Sequence, residues 1–261
     1  MEGSGPARLG FLVPPANWTV ESEVRAFLPD GVSIHFNRLS RVDETNEGEG
    51  RKRVTADNLN VMAASVGRAA RDMAEASPDV IVYCCTSGSF VNGWAGHADL
   101  SDRITRQTGI PAITTSTAVL SALQAVKARK VVMVAPYPQE IIDIEIDFFA
   151  HFGIEIVTAR QIECPTDDDI RAVPAATTAA AVCEAVAGAG AFDAVFVSCT
   201  NLRIMPEIAR LETVLQKPVV TSNQASLWAA LNIVGRSPAA HAGRLSRIVC
   251  RRSDPLRLEM L

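Results

Sequence analysis

The sequence predicts an α/β fold with parallel sheets, assembled from two similar halves. Three observations predict it. First, two apolar runs end in the same way: residues 80–83 lead into Cys84, Cys85, Thr86 and Ser87, and residues 194–197 lead into Ser198, Cys199, Thr200 and Asn201. A fully apolar run bounded by turn residues reads as a buried parallel strand. Second, residues 111–123 align with residues 218–230, each passing from Pro through a short β-rich run and a Thr to small residues and a helical pattern. Residues 13–16 and 134–137 align more weakly, and all the matches fall in the same order. Third, strand patterns alternate with helical patterns along the chain, which is the signature of parallel sheets covered by helices.

Taken in order, residues 8–13 form a first strand, closing at Pro14, Pro15, Ala16 and Asn17, and Thr19 is placed to cap the following helix. Residues 32–36 form a second strand. Residues 41–52 are polar, with Gly48 and Gly50, and read as a solvated loop or as a lid over a cleft. Residues 55–76 carry one helical pattern through Leu59, Met62, Val66, Ala69, Ala70 and Met73. The first Cys strand, a Gly-bearing turn, a polar helix near 98–107 and the Pro111 strand follow. A helix at 117–127 leads to a strand at 130–135, a helix at 139–152 ended by Gly153, and a strand at 154–157. Thr166 and the Asp167–Asp169 run offer N-caps before an Ala-rich helix. The second Cys strand then leads to a helix near 206–215, the Pro218 strand and a helix near 225–233. Beyond Gly235 no pattern persists, and the stretch with Arg244, Arg247, Arg251 and Arg252 reads as a surface tail, ordered in an oligomer. The expected architecture is two pseudo-symmetric Rossmann-like (flavodoxin-like) halves. Residues 1–114 with 219–261 make one half and residues 115–218 the other, with the active site in the cleft between them.

Composition sets outer bounds. With 48% hydrophobic and 21% charged residues over 261 positions, the chain has core enough for a soluble globule. A net charge of −4 gives no support to nucleic-acid binding. No apolar run approaches the roughly 20 residues that span a bilayer, so no membrane partner is expected. The start of the chain lacks the basic and apolar regions of a signal peptide, so a cytoplasmic protein with reduced thiols is expected. Six cysteines and four histidines show no zinc-type spacing, so neither metal nor cofactor is expected. The Gly-x-Gly-x-x-Gly and Walker-type nucleotide motifs are absent, as is Gly-x-Ser-x-Gly.

Ligands of open parallel sheets bind beyond the carboxyl ends of the strands, where both Cys-Thr units fall. Cys85 and Cys199 are therefore the candidate catalytic pair. Strand-end N–H groups or a helix N-terminus are expected to bring such a thiol toward neutrality. One thiolate then attacks carbon or removes a proton from it while the opposed thiol donates one. Thr86, Ser87, Thr200 and Asn201 are donors suited to an enediolate, and Tyr137 adds a phenol at a strand end. A single buried Cys is ordinarily a small hydrophobe. Two at matched positions, each followed by hydroxyl residues, point to chemistry. Cys84, Cys164, Cys183 and Cys250 lack such partners and read as packing residues.

Through residues 13–21, 83–87, 115–120, 134–137, 197–199 and 218–220, the chain resembles the aspartate/glutamate racemase superfamily, in its maleate cis–trans isomerase and arylmalonate decarboxylase branch. The resemblance spans roughly residues 9–235. It implies two α/β halves, no metal or organic cofactor, and a small carboxylate substrate between the halves. It makes Cys85 the nucleophile that adds to a double bond and Cys199 the second cysteine. Asn17 and Tyr137 match residues that hold substrate carboxylates in the isomerases. Thr86, Ser87 and Tyr137 match the carboxylate pocket of the decarboxylases, which Pro14 and Pro15 also resemble. The decarboxylases carry Gly where this chain has Cys85, which speaks against a pure decarboxylase. Thr86 and Ser87 stand where the isomerases have apolar residues, and Asp167 stands near an Asn that meets the distal carboxylate.

The expected activity is a cofactor-independent isomerase of a small carboxylate, maleate isomerase-like, acting as a homo-oligomer (dimer or tetramer). The alternatives are an amino-acid racemase of aspartate, glutamate or hydantoin type, an arylmalonate decarboxylase-like enzyme, and a non-enzymatic carboxylate-binding protein on the same fold.

Overall fold

The strands run as the hydrophobic pattern directs. The computed structural model describes residues 5–41, 52–239 and 243–249. Among these, eight strands form two four-stranded sheets in which every pairing is parallel. The first sheet holds β1 (Ala7–Val13), β2 (Val32–Arg38), β3 (Val80–Tyr83) and β4 (Ala112–Thr114) in the order β2-β1-β3-β4. The second holds β5 (Lys130–Ala135), β6 (Glu155–Gln161), β7 (Ala194–Val197) and β8 (Val219–Thr221) in the order β6-β5-β7-β8. The two orders are the same under the internal repeat. Leu12 pairs with Tyr83 and Val134 with Val197, so the central strands of each sheet end level with one another.

Helices cover both sheets: α1 (Thr19–Arg25), α2 (Ala56–Ala64), α3 (Val66–Ala74), α4 (Thr86–Phe90), α5 (Gly93–Thr108), α6 (Thr115–Ala125), α7 (Gln139–His151), α8 (Asp167–Ala172), α9 (Ala175–Ala187), α10 (Ile208–Leu215) and α11 (Ser222–Ile233). The repeat is visible in how helices begin. Thr114 caps α6 by accepting from the Thr117 N–H, and Thr221, its counterpart, caps α11 by accepting from the Gln224 N–H. These two helices pack against each other at the junction of the sheets, where the Thr115 and Ser226 hydroxyls hydrogen-bond at 3.0 Å. Residues 80–83 and 194–197 are buried throughout, as strands covered on both faces must be.

Several local expectations give way to tertiary contacts. The strand at 219–221, expected with the first half, hydrogen-bonds to β7 and so belongs to the second sheet; only the helix after it returns to the junction. The 55–76 pattern divides into α2 and α3 at Ser65, whose hydroxyl donates to the Met62 carbonyl and accepts from the Ser40 N–H. Thr19 is the first helical residue rather than the cap, and the Asn17 side chain accepts from the Val20 N–H instead. The Gly-bearing turn after Cys85 is α4. β6 runs on to Gln161, beyond the expected strand.

Part of the expected surface tail is packed. Leu245 and Ser246 are buried, the Arg244 N–H donates to Glu212, and the Trp228 indole donates to the Ile248 carbonyl at 2.8 Å. Most of the 41–52 segment, and Cys250, Arg251 and Arg252, lie outside the described residues. Among the described residues no helix is long and apolar enough to cross a membrane.

Candidate active site

The carboxyl ends of β1, β3, β5 and β7 converge on one small pocket, with the N-terminus of α8 closing its far side. It is lined by Cys85 and Cys199, one from each sheet. Asn17, Thr86, Ser87, Tyr137, Asp167, Thr200 and Asn201 also line it. Pro15 does not. It is exposed, and its neighbour Pro14 faces the pocket, because adjacent residues of a tight turn point apart.

The two cysteines are held differently despite the repeat. Cys85 has extended backbone and caps α4, its sulfur accepting from the Gly88 N–H at 3.4 Å. Gly88 is required by this close approach. A Cβ there would sit 2.6 Å from the Tyr83 hydroxyl and 3.1 Å from the Cys85 sulfur. Cys199 adopts a φ of +96°, in the region that disfavours side chains, so its backbone is strained. The strain is held from two sides. The Cys199 N–H donates to Ser222 Oγ at 3.1 Å, and the sulfur accepts from the Asn201 N–H at 3.3 Å.

Hydroxyls expected to serve the substrate are partly committed to joining the sheets. Thr86 donates to Ser222 at 2.9 Å, and Ser222 in turn holds the Cys199 backbone. Thr200 donates to the Cys84 carbonyl at 3.3 Å and accepts from the Asn17 amide at 2.9 Å. These bonds fix the two Cys units relative to each other. Asn201 donates to the Asp167 carbonyl at 3.0 Å, while its own Oδ1 is buried without a partner.

Electrostatics distinguishes the thiols. Burial pushes Cys85 up, opposed by the Gly88 N–H, the Arg41 guanidinium and the Ser87 hydroxyl. Burial pushes Cys199 up to about 12, opposed by the Asn201 N–H and the Tyr137 hydroxyl, with no cation among its partners. The expected drift of both thiols toward neutrality is therefore reversed, because desolvation outweighs the strand-end donors. Cys85 alone has a cation favouring its thiolate.

Arg41 was hidden in the polar 41–52 stretch. It lines the pocket and forms a buried ion pair with Asp167, 126 positions away. Burial raises the Asp167 carboxyl and Arg41 opposes it. Asp167 thus meets a cation here, which changes what it presents to a substrate anion. Val54 also lines the pocket. A second hidden group lies behind Tyr137. The Ser198 hydroxyl is 3.4 Å from the Tyr137 hydroxyl and donates to Glu145 Oε1 at 2.7 Å. Its sequence signal was an acid on the apolar stripe of Ile141, Ile142, Phe148 and Phe149. Among the described residues, no cluster of His, Cys, Asp and Glu could hold a metal, and the described cysteines are free thiols.

Known proteins resemble this chain in sequence and fold. The sequence profile described as arylmalonate decarboxylase matches residues 9–246. The chain is 28% identical over 246 residues to the maleate isomerase of Pseudomonas putida, covering 88% of this chain and 93% of that protein. It is 27% identical over 243 residues to the arylmalonate decarboxylase of Bordetella bronchiseptica, covering 93% and 97%. A double mutant of arylmalonate decarboxylase, in its liganded form, superposes with a TM-score of 0.81 at 26% identity, covering 92% of this chain and 98% of that one. With its profile matched from the first strand to the packed segment after α11, the chain belongs to the arylmalonate decarboxylase family, on the branch it shares with maleate isomerases.

Proposed function

We propose that this chain is a cofactor-independent cis–trans isomerase of a small unsaturated dicarboxylate, with maleate as the reference substrate. The observation that carries the reading is the pair of sulfurs from different sheets facing one pocket, only one of them beside a cation. Similarity to maleate isomerases supports it.

The roles follow from the surroundings of each thiol. The Cys85 thiolate, favoured by Arg41 and the Gly88 N–H, adds to one alkene carbon. A C–S bond forms, and the π pair moves to the neighbouring carbon and its carboxylate. Cys199 retains its proton at neutral pH and delivers it to that carbon, giving a saturated thioether of succinate. The former double bond is now single and rotates. The Cys199 thiolate takes the proton back, the π bond re-forms, and Cys85 leaves as thiolate. Both cysteines return to their starting states and the product is fumarate. Asn17, Tyr137 and Arg41 are the groups placed to hold the two carboxylates.

A second reading is favoured by the family profile itself. In a decarboxylase, loss of carbon dioxide from a malonate leaves an enediolate that Cys199 alone protonates, and Cys85 is dispensable. Proton NMR of maleate incubated with the protein in deuterated water separates the readings. The expected result is fumarate, with no turnover in Cys85→Ser and a rate lowered about 10²- to 10⁴-fold in Cys199→Ser. Full turnover in Cys85→Ser, or carbon dioxide release from an arylmalonate with maleate untouched, would overturn the isomerase assignment.

A further inference from the structure

Glu145 is a fully buried acid in the helix behind the site, and the chemistry above does not use it. Its Oε1 accepts from Ser198 at 2.7 Å, and its Oε2 is buried with no hydrogen-bond partner. Ser198 is the link. Its hydroxyl is also 3.4 Å from the Tyr137 hydroxyl, which lines the pocket with Cys199 and favours the Cys199 thiolate. A chain of exchangeable protons therefore runs from Glu145 through Ser198 to Tyr137, which faces the same pocket as Cys199.

Hydroxyl chains have a direction, because each O–H donates once. An ionised carboxylate only accepts. Ser198 must then donate to Glu145, its oxygen draws the Tyr137 proton, and Tyr137 donates away from the pocket. A protonated Glu145 can donate to Ser198. Ser198 then donates to Tyr137, and the Tyr137 proton is free to point at the Cys199 sulfur or at a substrate carboxylate. We propose that Glu145 is a positioning residue whose protonation state sets whether Tyr137 donates into the pocket or away from it. The inference rests on Tyr137 and Cys199 being site groups and is independent of the substrate's identity.

The surroundings agree. An unpaired, fully buried carboxylate oxygen is costly when charged and tolerable when neutral. Burial pushes the Glu145 carboxyl up to about 8, opposed only by the Ser198 bond. No charged side chain of the described residues contributes. The titratable group that feels it is Tyr137, on the loop after β5, which in turn feels Cys199 and Cys85. The phenyl rings of Phe90 and Phe148 fill the space on the α4 side. Glu145 is thus protonated at neutral pH and ionises as the medium becomes mildly alkaline.

The test reads the Cys199 thiol directly, so it stands even if maleate is not turned over. In a Cys85→Ser background, the rate of Cys199 alkylation by iodoacetamide is followed against pH, with the labelled peptide quantified by mass spectrometry. Four proteins are compared: the parent, Glu145→Gln, Tyr137→Phe, and both changes together. The Gln amide can donate to Ser198 at every pH, so Tyr137 keeps donating to the thiolate. Glu145→Gln should move the Cys199 titration down by about one pH unit relative to the parent. In the Tyr137→Phe proteins the same change should have no such effect. An unchanged titration in Glu145→Gln, or an equal shift without Tyr137, would overturn the proposal. Should Glu145→Gln not fold, infrared spectroscopy of the parent decides: the carbonyl band of a buried carboxylic acid must be present at pH 7 and lost as the pH passes about 8. Its absence at pH 7 would refute the inference.

Discussion

Replacing Glu23 by alanine should loosen the joint between the two sheets. Glu23 lies on α1, beside the first sheet, and is 4% exposed. Oε1 accepts from the Ile204 N–H at 2.7 Å and the Met205 N–H at 2.8 Å, just beyond the second Cys unit. Oε2 accepts from the Asn223 amide at 2.7 Å, at the start of α11. Removing the carboxylate orphans two backbone donors, while the Asn223 amide keeps only its bond to the Thr200 carbonyl. Each buried donor left unsatisfied costs about 1–3 kcal/mol. Relief of the buried charge offsets part of this, since burial raises the Glu23 carboxyl despite its three donors. The expected net loss is about 3 kcal/mol. Glu23→Gln should lose about 1 kcal/mol, because the amide oxygen can still accept from the Ile204 and Met205 N–H groups and only the bond from the Asn223 amide is lost. Urea unfolding followed by tryptophan fluorescence gives both numbers. A Glu23→Ala protein within about 0.5 kcal/mol of the parent would refute the reasoning, since that is the range of an ordinary surface substitution.

Other outcomes follow from the same site. Asp167→Asn removes the buried Arg41–Asp167 ion pair, so the free protein should lose about 3 kcal/mol of stability while its KM for maleate falls about tenfold; unchanged steady-state kinetics would count against Arg41 as a carboxylate holder. Glu145 is protonated in the fold up to about pH 8 but ionises near 4.5 when unfolded. Its stabilisation is therefore whole below pH 4.5 and lost as pH rises to about 8. Relative to Glu145→Gln, the parent should weaken across that window by at most about 5 kcal/mol and hold constant above it, read as paired urea curves; a pH-independent difference would contradict the burial argument. Chemistry assigned to thiols and hydrogen-bond donors should survive exhaustive chelation; loss of turnover restored by one divalent ion would reverse that assignment.

What the sequence determined by itself was local and repetitive. The strands at 80–83 and 194–197 were legible because burial on both faces demands unbroken apolar runs. Their endings, Cys85-Thr86 and Cys199-Thr200, were legible as pocket-lining residues because parallel strands present their carboxyl ends to ligands. The matched runs through Thr114 and Thr221 made the duplication visible, and the structure shows both residues as helix caps. Tertiary structure decided whatever depended on partners far along the chain. Arg41 reaches Asp167 across 126 positions, and Ser222 joins Thr86 to the Cys199 backbone, two contacts that no window of periodicity contains. Ser65 divides a helix whose pattern is continuous, because Ser40 comes to meet it. Strand β8 takes its place by pairing with β7, although the helix after it faces the junction. The thiol energetics could not be read at all from residue type. Cys85 and Cys199 carry the same group at matched positions, and only the fold buries both and places a cation beside one of them.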